Sequence, residues 1–180
     1  MMRRWSMLLV AVLLGAATGA AAAEVSEVQL KAAFLFHFTQ FVDWPEAQFA
    51  SPDAPFVIGV FGDNEIEAAL GVMVRGERVG LHRLEVRHLR RPADADACNI
   101  IFVPNGSESQ FRSARTASAP VLTVGESARF LEDGGIIEFY SDHAHVRLRI
   151  NLQAARAASL QISSKLLRVA QVVSPSSLTP

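Results

Sequence analysis

Cysteine is almost absent from this chain, since Cys98 is the single one among 180 residues. One thiol cannot form an intrachain disulfide, so packing has to hold the fold together in any redox environment. We interpret Cys98 as a small buried apolar residue beside a strand. The alternative is a thiol that pairs between two chains.

An excess of charge of either sign is also missing. The 17 lysines and arginines and the 18 aspartates and glutamates give a net charge of −1 and are dispersed along the chain. Such a distribution offers no electrostatic basis for binding nucleic acid. The segment FGDNEIEAAL lacks the glycine pattern of a phosphate-binding loop, and its acidic residues would repel a phosphate. We therefore expect no nucleic-acid partner and no cofactor.

Long apolar runs are confined to the start of the chain. Arg3 and Arg4 precede the short apolar run Met7–Leu14, and Ala20–Ala23 offers a cleavage site of the A-x-A type. This pattern predicts a secretory signal peptide over residues 1–23, because its apolar core is too short for a permanent membrane anchor. The exported chain is expected to be soluble and to reside in a bacterial periplasm.

The most apolar and most aromatic stretch of the remainder is Leu30–Pro45, LKAAFLFHFTQFVDWP. Its periodicity predicts a helix with one wide buried face, and the residue before Pro45 ends it. That face comprises Leu30, Ala33, Phe34, His37, Phe38, Phe41 and Trp44. Phe36 lies on the polar side of the helix. It is either covered by a second element or exposed as a contact surface for another protein.

Further along, continuous apolar runs predict buried strands at Phe56–Phe61, Asn99–Val103 and Pro120–Val124, with helical segments between them. Ile136–Tyr140 and Val146–Ile150 predict a β-hairpin around the polar loop SDHAH. The alternation of strands and helices predicts an α/β fold. We expect a three-layer sandwich: a mixed sheet of about six strands, mostly parallel with an antiparallel hairpin at one edge, and about five flanking helices.

The end of the chain is predicted to hold the longest helix, Leu152–Val172. Val169 falls on its buried arc, and Leu160 and Leu167, one heptad apart, widen that arc. Residues 174–180 are expected to form a flexible tail. A single domain over residues 24–173 follows from these elements.

Few residues form a pattern that indicates chemistry. His143 and His145 are spaced for two imidazole ligands of a metal, but a solvated turn needs such residues as well. His37 is interpreted as a hydrogen-bonded core histidine rather than a catalytic base. Lys165 and Arg168 are interpreted as cations that interact favourably with the dipole at the C-terminal end of the last predicted helix. The alternative role for them is contact with an anion or ligand. We therefore expect no enzyme.

Several of these stretches together resemble a known family. LKAAFLFHFTQFVDWP, FVIGVFGDN, CNIIFV, PVLTVGES, GGIIEF and VRLRINLQAARAASLQISSKLLRVA occur in this order across the predicted domain. They closely resemble the YfiR (HmsC-like) family of periplasmic proteins. The first and last of these stretches are long and fairly specific.

The resemblance implies a non-enzymatic regulator. Studied members bind the periplasmic sensor region of a membrane-bound diguanylate cyclase and hold the cyclase inactive, which lowers cyclic-di-GMP and biofilm formation. Members are dimeric, and redox state or small ligands such as tryptophan have been proposed to tune them. Disulfide control of that kind is excluded here, because Cys98 stands alone. Many relatives carry glycine where Ser159 stands, so a less bent helix is expected in this chain.

A binding protein of this kind needs an apolar contact surface. Our hypothesis is that Phe36, Trp44, Leu160 and Leu167 contribute to self-association into a homodimer or to docking on the periplasmic region of an inner-membrane cyclase. The alternative is a periplasmic sensor of a small aromatic or anionic ligand. In that case Trp44 would hold the compound together with Lys165 or Arg168.

Overall fold

The computed structural model describes residues 26–45, 48–62, 64–114 and 120–173. The predicted signal peptide and the predicted tail lie outside these ranges. None of the helices within them is long and apolar enough to span a membrane.

The first element is helix α1, Glu27–Phe41. Ser26 caps it: its side chain accepts a hydrogen bond from the backbone N–H of Gln29, whose side chain accepts one from the backbone N–H of Ser26. This reciprocal pair satisfies two amide groups that a helix start leaves without partners. The helix therefore begins three residues before the predicted Leu30.

The buried face predicted for α1 is only partly confirmed: besides Phe38, the predicted Phe34, Phe41 and Trp44 pack against the core but are half-buried. The fully buried residues are Ala32, Leu35, Phe38 and Thr39, and of these only Phe38 was expected. His37 is exposed, so it is not a core histidine. The helix packs on the sheet, where Phe38 stacks on Phe139, and also against a second helix. Apolar residues therefore run around most of α1, and periodicity alone could not select the side that faces the core.

Ten strands occur within the described ranges, in two sheets. The small sheet pairs β1, Val42–Asp43, with β9, Gln161–Ile162. The large sheet has the order β10-β8-β7-β6-β5-β2-β4-β3. Its strands are β2 Phe56–Phe61, β3 Arg78–Val79, β4 His82–Leu89, β5 Ile100–Val103, β6 Leu122–Gly125, β7 Ile137–Asp142, β8 His145–Asn151 and β10 Gln171–Val173.

The large sheet confirms the predicted class, although it has eight strands rather than about six. The central strands β4, β2, β5, β6 and β7 run parallel, whereas the β7–β8 and β3–β4 pairs are antiparallel. The predicted hairpin is the β7–β8 pair. Its two-residue turn, His143 and Ala144, has φ values of 49° and 64°, as a tight hairpin turn of the primed type requires.

Helices cover both faces of the sheet and complete the three layers. The remaining helices are α2 Glu65–Met73, α3 Glu108–Ala114, α4 Leu152–Ala157, α5 Ser164–Leu167 and a 3₁₀ helix at Pro92–Ala97. Phe56, Ile58 and Val60 of β2 join the core that contains α1, α2, α4 and α5. Val57 and Phe61, which alternate with them, join a second core with the 3₁₀ helix and α3. All six residues of β2 are buried for this reason.

The long helix predicted over Leu152–Val172 is wrong, because α4 ends after one and a half turns. The Leu160 N–H donates to the Ala155 carbonyl at 2.9 Å, and the Ser159 N–H donates to the Arg156 carbonyl at 2.9 Å. This is a Schellman motif, with Ser159 in the left-handed region at φ 58°. Helix α1, with 15 residues, is longer than α4, with 6.

The chain after α4 turns back along the end of α1. Val42 pairs with Ile162, and Asp43 pairs with Gln161. The backbone N–H of Ser163 also donates to the carbonyl of Phe41 at 2.8 Å. Residues 161–163 are therefore extended, whereas the sequence pattern predicted a helix there.

Candidate functional site

Trp44 directly follows β1 and is half-buried. Its indole Nε1 donates to the backbone carbonyl of Asn99 at 3.2 Å, and its ring packs edge-on against Phe56 at 4.8 Å between centroids. Phe56 begins β2, and Asn99 directly precedes β5. Trp44 thus ties the end of α1 to the starts of the central strands β2 and β5, and its indole N–H group is already hydrogen-bonded within the chain.

Lys165 and Arg168 lie exposed on α5 and at its C-cap. Within the described residues, no hydrogen bond, ion pair or ring contact joins either side chain to Trp44. The ligand site composed of Trp44, Lys165 and Arg168 therefore stays a prediction.

Phe36 is half-buried and packs against the core of the α1 face. Its ring lies 5.5 Å from that of His37, which is exposed. Part of the Phe36 side chain is covered by the core and part remains at the surface, so its role in a contact with another protein stays a prediction.

Leu160 and Leu167 do not form a stripe on one helix. Leu160 is only 2% exposed and follows the left-handed residue of the Schellman motif, where an apolar side chain packs back onto the last helical turn. Leu167 ends α5 and is half-buried. A surface contact through Leu160 would require its removal from the core, so Leu167 alone of this pair is available at the surface.

An apolar surface is found instead around the last strand. Val169 is 66% exposed and Val172 is 47% exposed, and β10 lies at the end of the sheet order. We define Leu167, Arg168, Val169 and Val172 as the C-terminal surface. Sequence reasoning missed it because it placed Val169 on the buried arc of a helix that does not form. The β-branched pair at 172–173 was the available signal for a strand.

A second feature is built where the parallel strands end. Lys31 of α1 lies 2.5 Å from carboxylate oxygens of both Glu27 and Glu126, and Glu126 directly follows β6. The second oxygen of Glu126 accepts from the backbone N–H of Asn105 at 3.3 Å, just beyond β5. The side chains of Lys31 and Glu126 are only 13% and 12% exposed. One ion pair therefore fixes α1 against the ends of two strands.

A second ion pair lies across the hairpin. Glu138 of β7 is directly opposite Arg149 of β8, and Arg149 Nη1 donates to Glu138 Oε1 at 3.1 Å. The guanidinium carbon of Arg149 also lies 4.1 Å from the ring centroid of Tyr140. Glu138 is 3% exposed, whereas the Arg149 side chain is 36% exposed. The pair is thus buried on the acidic side and reaches solvent on the basic side.

Both ion pairs line one cavity of about 310 Å³, which we call the charged cavity. Its size is at the lower end of the range for small-molecule sites. Sequence reasoning missed it because its members come from five segments of the chain: α1, the loops after β5 and β6, and strands β7 and β8. Its lining residues are Glu27, Lys31, Asn105, Glu126, Ala128, Glu138, Phe139, Tyr140, Ser141 and Arg149.

The two ion pairs that line the cavity differ in how far each buried charge is balanced by its partner. Burial raises the pKa of Glu138, although the charge and hydrogen bond of Arg149 oppose this shift. Burial alone would lower the pKa of Lys31, but its hydrogen bonds to Glu126 and Glu27 outweigh that effect and raise the pKa. The two neighbouring carboxylates therefore more than offset the cost of burying the positive charge of Lys31. Arg149 does not fully offset the cost of burying the negative charge of Glu138.

The other candidate residues lie apart from the cavity. Cys98 is 2% exposed and belongs to the second core, and burial raises the pKa of its thiol to about 11. This position matches the interpretation as a small buried residue. His143 is exposed at the hairpin turn, where its Nδ1 lies 2.7 Å from an Asp142 oxygen. His145, which is also exposed, begins β8.

The fold and these surfaces define a three-layer α/β domain with an apolar C-terminal surface and a cavity lined by charged pairs. A family model described as YfiR/HmsC-like matches residues 28–171 of the chain. The chain therefore belongs to the YfiR/HmsC-like family, as the sequence resemblance indicated.

Two solved structures match most of this chain. A conserved domain protein from Vibrio cholerae O1 biovar El Tor matches with a TM-score of 0.54 and 14% identity, over 82% of this chain and 60% of that one. The ABC domain in complex with L-Trp from Streptococcus pneumonia matches with a TM-score of 0.47 and 16% identity, over 66% of this chain and 55% of that one. No curated protein matches the chain. At these identities the Vibrio structure supports the fold alone.

Proposed function

We propose that this protein is a non-enzymatic periplasmic regulator that holds a membrane-bound diguanylate cyclase inactive by docking on the cyclase's periplasmic sensor region. The observation that carries this proposal is the family match over residues 28–171. Membership of this family indicates a periplasmic regulator of diguanylate cyclase signalling. The direct contact and its repressive effect are our extension to this chain. The expected result of that contact is low cyclic-di-GMP and little biofilm.

Repression by docking requires differential affinity. A regulator shifts the cyclase towards its inactive state only to the extent that it binds that state more tightly than the active one. No reaction at the regulator is needed. A shift from mostly active to mostly inactive needs roughly a 10⁴-fold preference, which corresponds to about 5.5 kcal/mol. A modest apolar contact with charged neighbours can supply a preference of this size.

We assign the C-terminal surface to this contact. Val169 and Val172 are large apolar side chains that remain exposed in the folded domain, and Arg168 adds a positive charge beside them. Phe36, Leu167 and Trp44 are each half-buried and add apolar area at the surface of the same α1-side core. We propose them as further contacts with the cyclase or with a second copy of this chain. Leu160 takes part only by supporting this surface from below.

The first experiment is deletion of the gene with measurement of cellular cyclic-di-GMP. We expect the messenger and biofilm to rise, because the cyclase loses its restraint. The purified domain should then capture an inner-membrane cyclase in a pull-down from the same cells. An unchanged messenger level together with a pull-down that contains no cyclase would contradict the proposal.

The surface is tested by complementing the deletion with single variants. Val169→Asp and Val172→Asp should fold normally, since both side chains are exposed, but should fail to lower cyclic-di-GMP. Val72→Asp is the matched control, because Val72 on α2 is 70% exposed and lies outside the C-terminal surface. Full repression by the Val169 and Val172 variants would show that docking uses another surface. A dimer that survives both substitutions would assign self-association elsewhere.

A further inference from the structure

Positive charge is concentrated at the β3 end of the large sheet. Residues 75–83 contain three arginines and one glutamate, a net charge of +2, whereas the whole chain has a net charge of −1. The three arginines are exposed, and so is Leu81 in the turn between β3 and β4. We define Arg75, Arg78, Leu81 and Arg83 as the basic edge. We propose that the basic edge binds the surface of a phospholipid bilayer that contains anionic headgroups.

The register of the sheet brings two of these arginines together. Arg78 of β3 lies directly opposite Arg83 of β4 in the antiparallel pair, so their Cβ atoms are about 5 Å apart on one face. Leu84 and Val86 of β4 pack in the core that contains α1 and α2, and Arg83 alternates with them. The arginine pair therefore projects from the opposite face of the sheet. Like charges in this position destabilise a sheet, and an anion that binds both guanidinium groups would remove the repulsion.

The described part of the chain supplies no carboxylate partner for the arginines of the basic edge. Several other arginines form ion pairs, but Arg75, Arg78 and Arg83 do not pair with any described residue. Arg78 Nη2 donates instead to the backbone carbonyl of Leu81, which fixes the turn. Charged side chains on an edge strand also hinder pairing with another sheet. That role does not require two arginines opposite each other, because carboxylates would serve it equally well.

Leu81 favours a bilayer over an acidic protein as the partner. It lies in the turn between the two paired arginines and is 69% exposed, which makes it one of the most exposed large apolar side chains of the described residues. A leucine flanked by arginines fits the boundary between headgroups and acyl chains, where the apolar side chain leaves water. The long apolar part of an arginine can lie along the same boundary while its guanidinium group binds phosphate.

Contact through the basic edge leaves the C-terminal surface accessible. β3 and β10 are the two ends of the order of the large sheet, so the basic edge and the C-terminal surface lie at opposite ends of it. A molecule that binds a bilayer through β3 and β4 can therefore still present Val169 and Val172 to a protein. The argument for the bilayer uses none of the observations on which the docking proposal depends.

Sedimentation with vesicles tests the proposal. The purified protein, produced from the full chain, is mixed with vesicles of phosphatidylglycerol and phosphatidylcholine in equal parts, or of phosphatidylcholine alone. We expect half of the protein to bind at roughly 1 mM accessible anionic lipid, and binding to phosphatidylcholine to be at least about tenfold weaker. About 1 M salt should abolish the binding, because the Debye length then falls to about 3 Å.

Single variants separate the charge from the apolar side chain. Arg83→Gln should weaken binding to the anionic vesicles by about fivefold, and Arg83→Lys should restore most of it, because the attraction depends on the charge. Leu81→Ser should weaken binding by about threefold or more, because an apolar contact is lost. Arg156→Gln is the matched control, since Arg156 is also exposed and without an ion pair to any described residue, but lies on α4. All four variants should keep the urea midpoint of the wild type within error.

The proposal is overturned if the wild type does not sediment with anionic vesicles up to about 5 mM lipid, or binds both kinds of vesicle equally. The arginines would then act only as charges that keep other sheet edges away. Equal weakening by Arg83→Gln and Arg156→Gln would also overturn it, because the bilayer would then attract the protein through its overall charge. No cyclase is present in these measurements, so their failure is distinguishable from a failure of the docking proposal.

Discussion

Ser159 holds a backbone conformation that its side chain disfavours. Its φ of 58° lies in the left-handed region, where a residue with a Cβ atom costs roughly 1–2 kcal/mol relative to glycine. A serine where the family resemblance implied glycine was expected to leave a less bent helix. That expectation is wrong: α4 ends at Ala157, and Ser159 still forms the Schellman motif. The serine therefore retains the motif at a cost in stability.

We predict that Ser159→Gly raises the free energy of unfolding by about 0.5–1 kcal/mol, after allowance for the greater freedom of glycine in the unfolded chain. The measurement is the urea midpoint at constant m-value. Ala157→Gly, two residues earlier in the last turn of α4, is the control and should lower stability by about the same amount. A loss of stability in both variants would mean that Ser159 is not strained.

At the scale of elements, the ion pair between β7 and β8 contributes to the pH dependence of stability. Glu138 has a pKa raised above its usual 4.5, mainly by burial, and the charge of Glu132 adds to this shift while Arg149 opposes it. The folded chain therefore binds the Glu138 proton more tightly than the unfolded chain does. The contribution of Glu138 to stability is therefore fully present below pH 4.5. It is lost as the pH rises above 4.5 and through the raised pKa of the folded state.

We predict that the wild type loses stability relative to Glu138→Gln as the pH rises from about 4 to about 6, because glutamine does not titrate. Urea unfolding of both proteins at a series of pH values measures this difference. A difference that stays level, or that grows in favour of the wild type, would show that the Arg149 charge fully compensates the buried carboxylate.

Elements with a local signal were predictable from the sequence, and those fixed by distant partners were not. Phe56–Phe61 and the β7–β8 hairpin were found because a strand buried on both faces and a tight turn have local patterns. The end of α4 was missed because Ser159 stands where glycine would have marked it. The pairing of Gln161–Ile162 with β1 joins positions more than a hundred residues apart. The charged cavity could not be predicted for the same reason, since Lys31 of α1 and Glu138 of β7 line one cavity only in the folded domain.

At the scale of the whole molecule, the single cysteine means that folding does not depend on the redox state of the compartment. Cys98 is buried and has no cysteine partner, so no covalent link ties the fold to an oxidising compartment. The core comes from packing on both faces of one large sheet. The domain should therefore fold equally well in the cytoplasm and in the periplasm. Under the proposed function, by contrast, its action requires it to reach the periplasmic region of the cyclase.

We predict that a chain lacking residues 2–23 folds in the cytoplasm but fails to lower cyclic-di-GMP in the deletion strain. The full chain should restore repression, and its exported form should begin at Glu24 when its mass is measured. Both purified proteins should unfold at the same urea concentration, with or without a reducing agent, because neither contains a disulfide. Repression by the chain without residues 2–23 would contradict docking in the periplasm. A loss of stability on reduction would instead reveal a bond between two chains through Cys98.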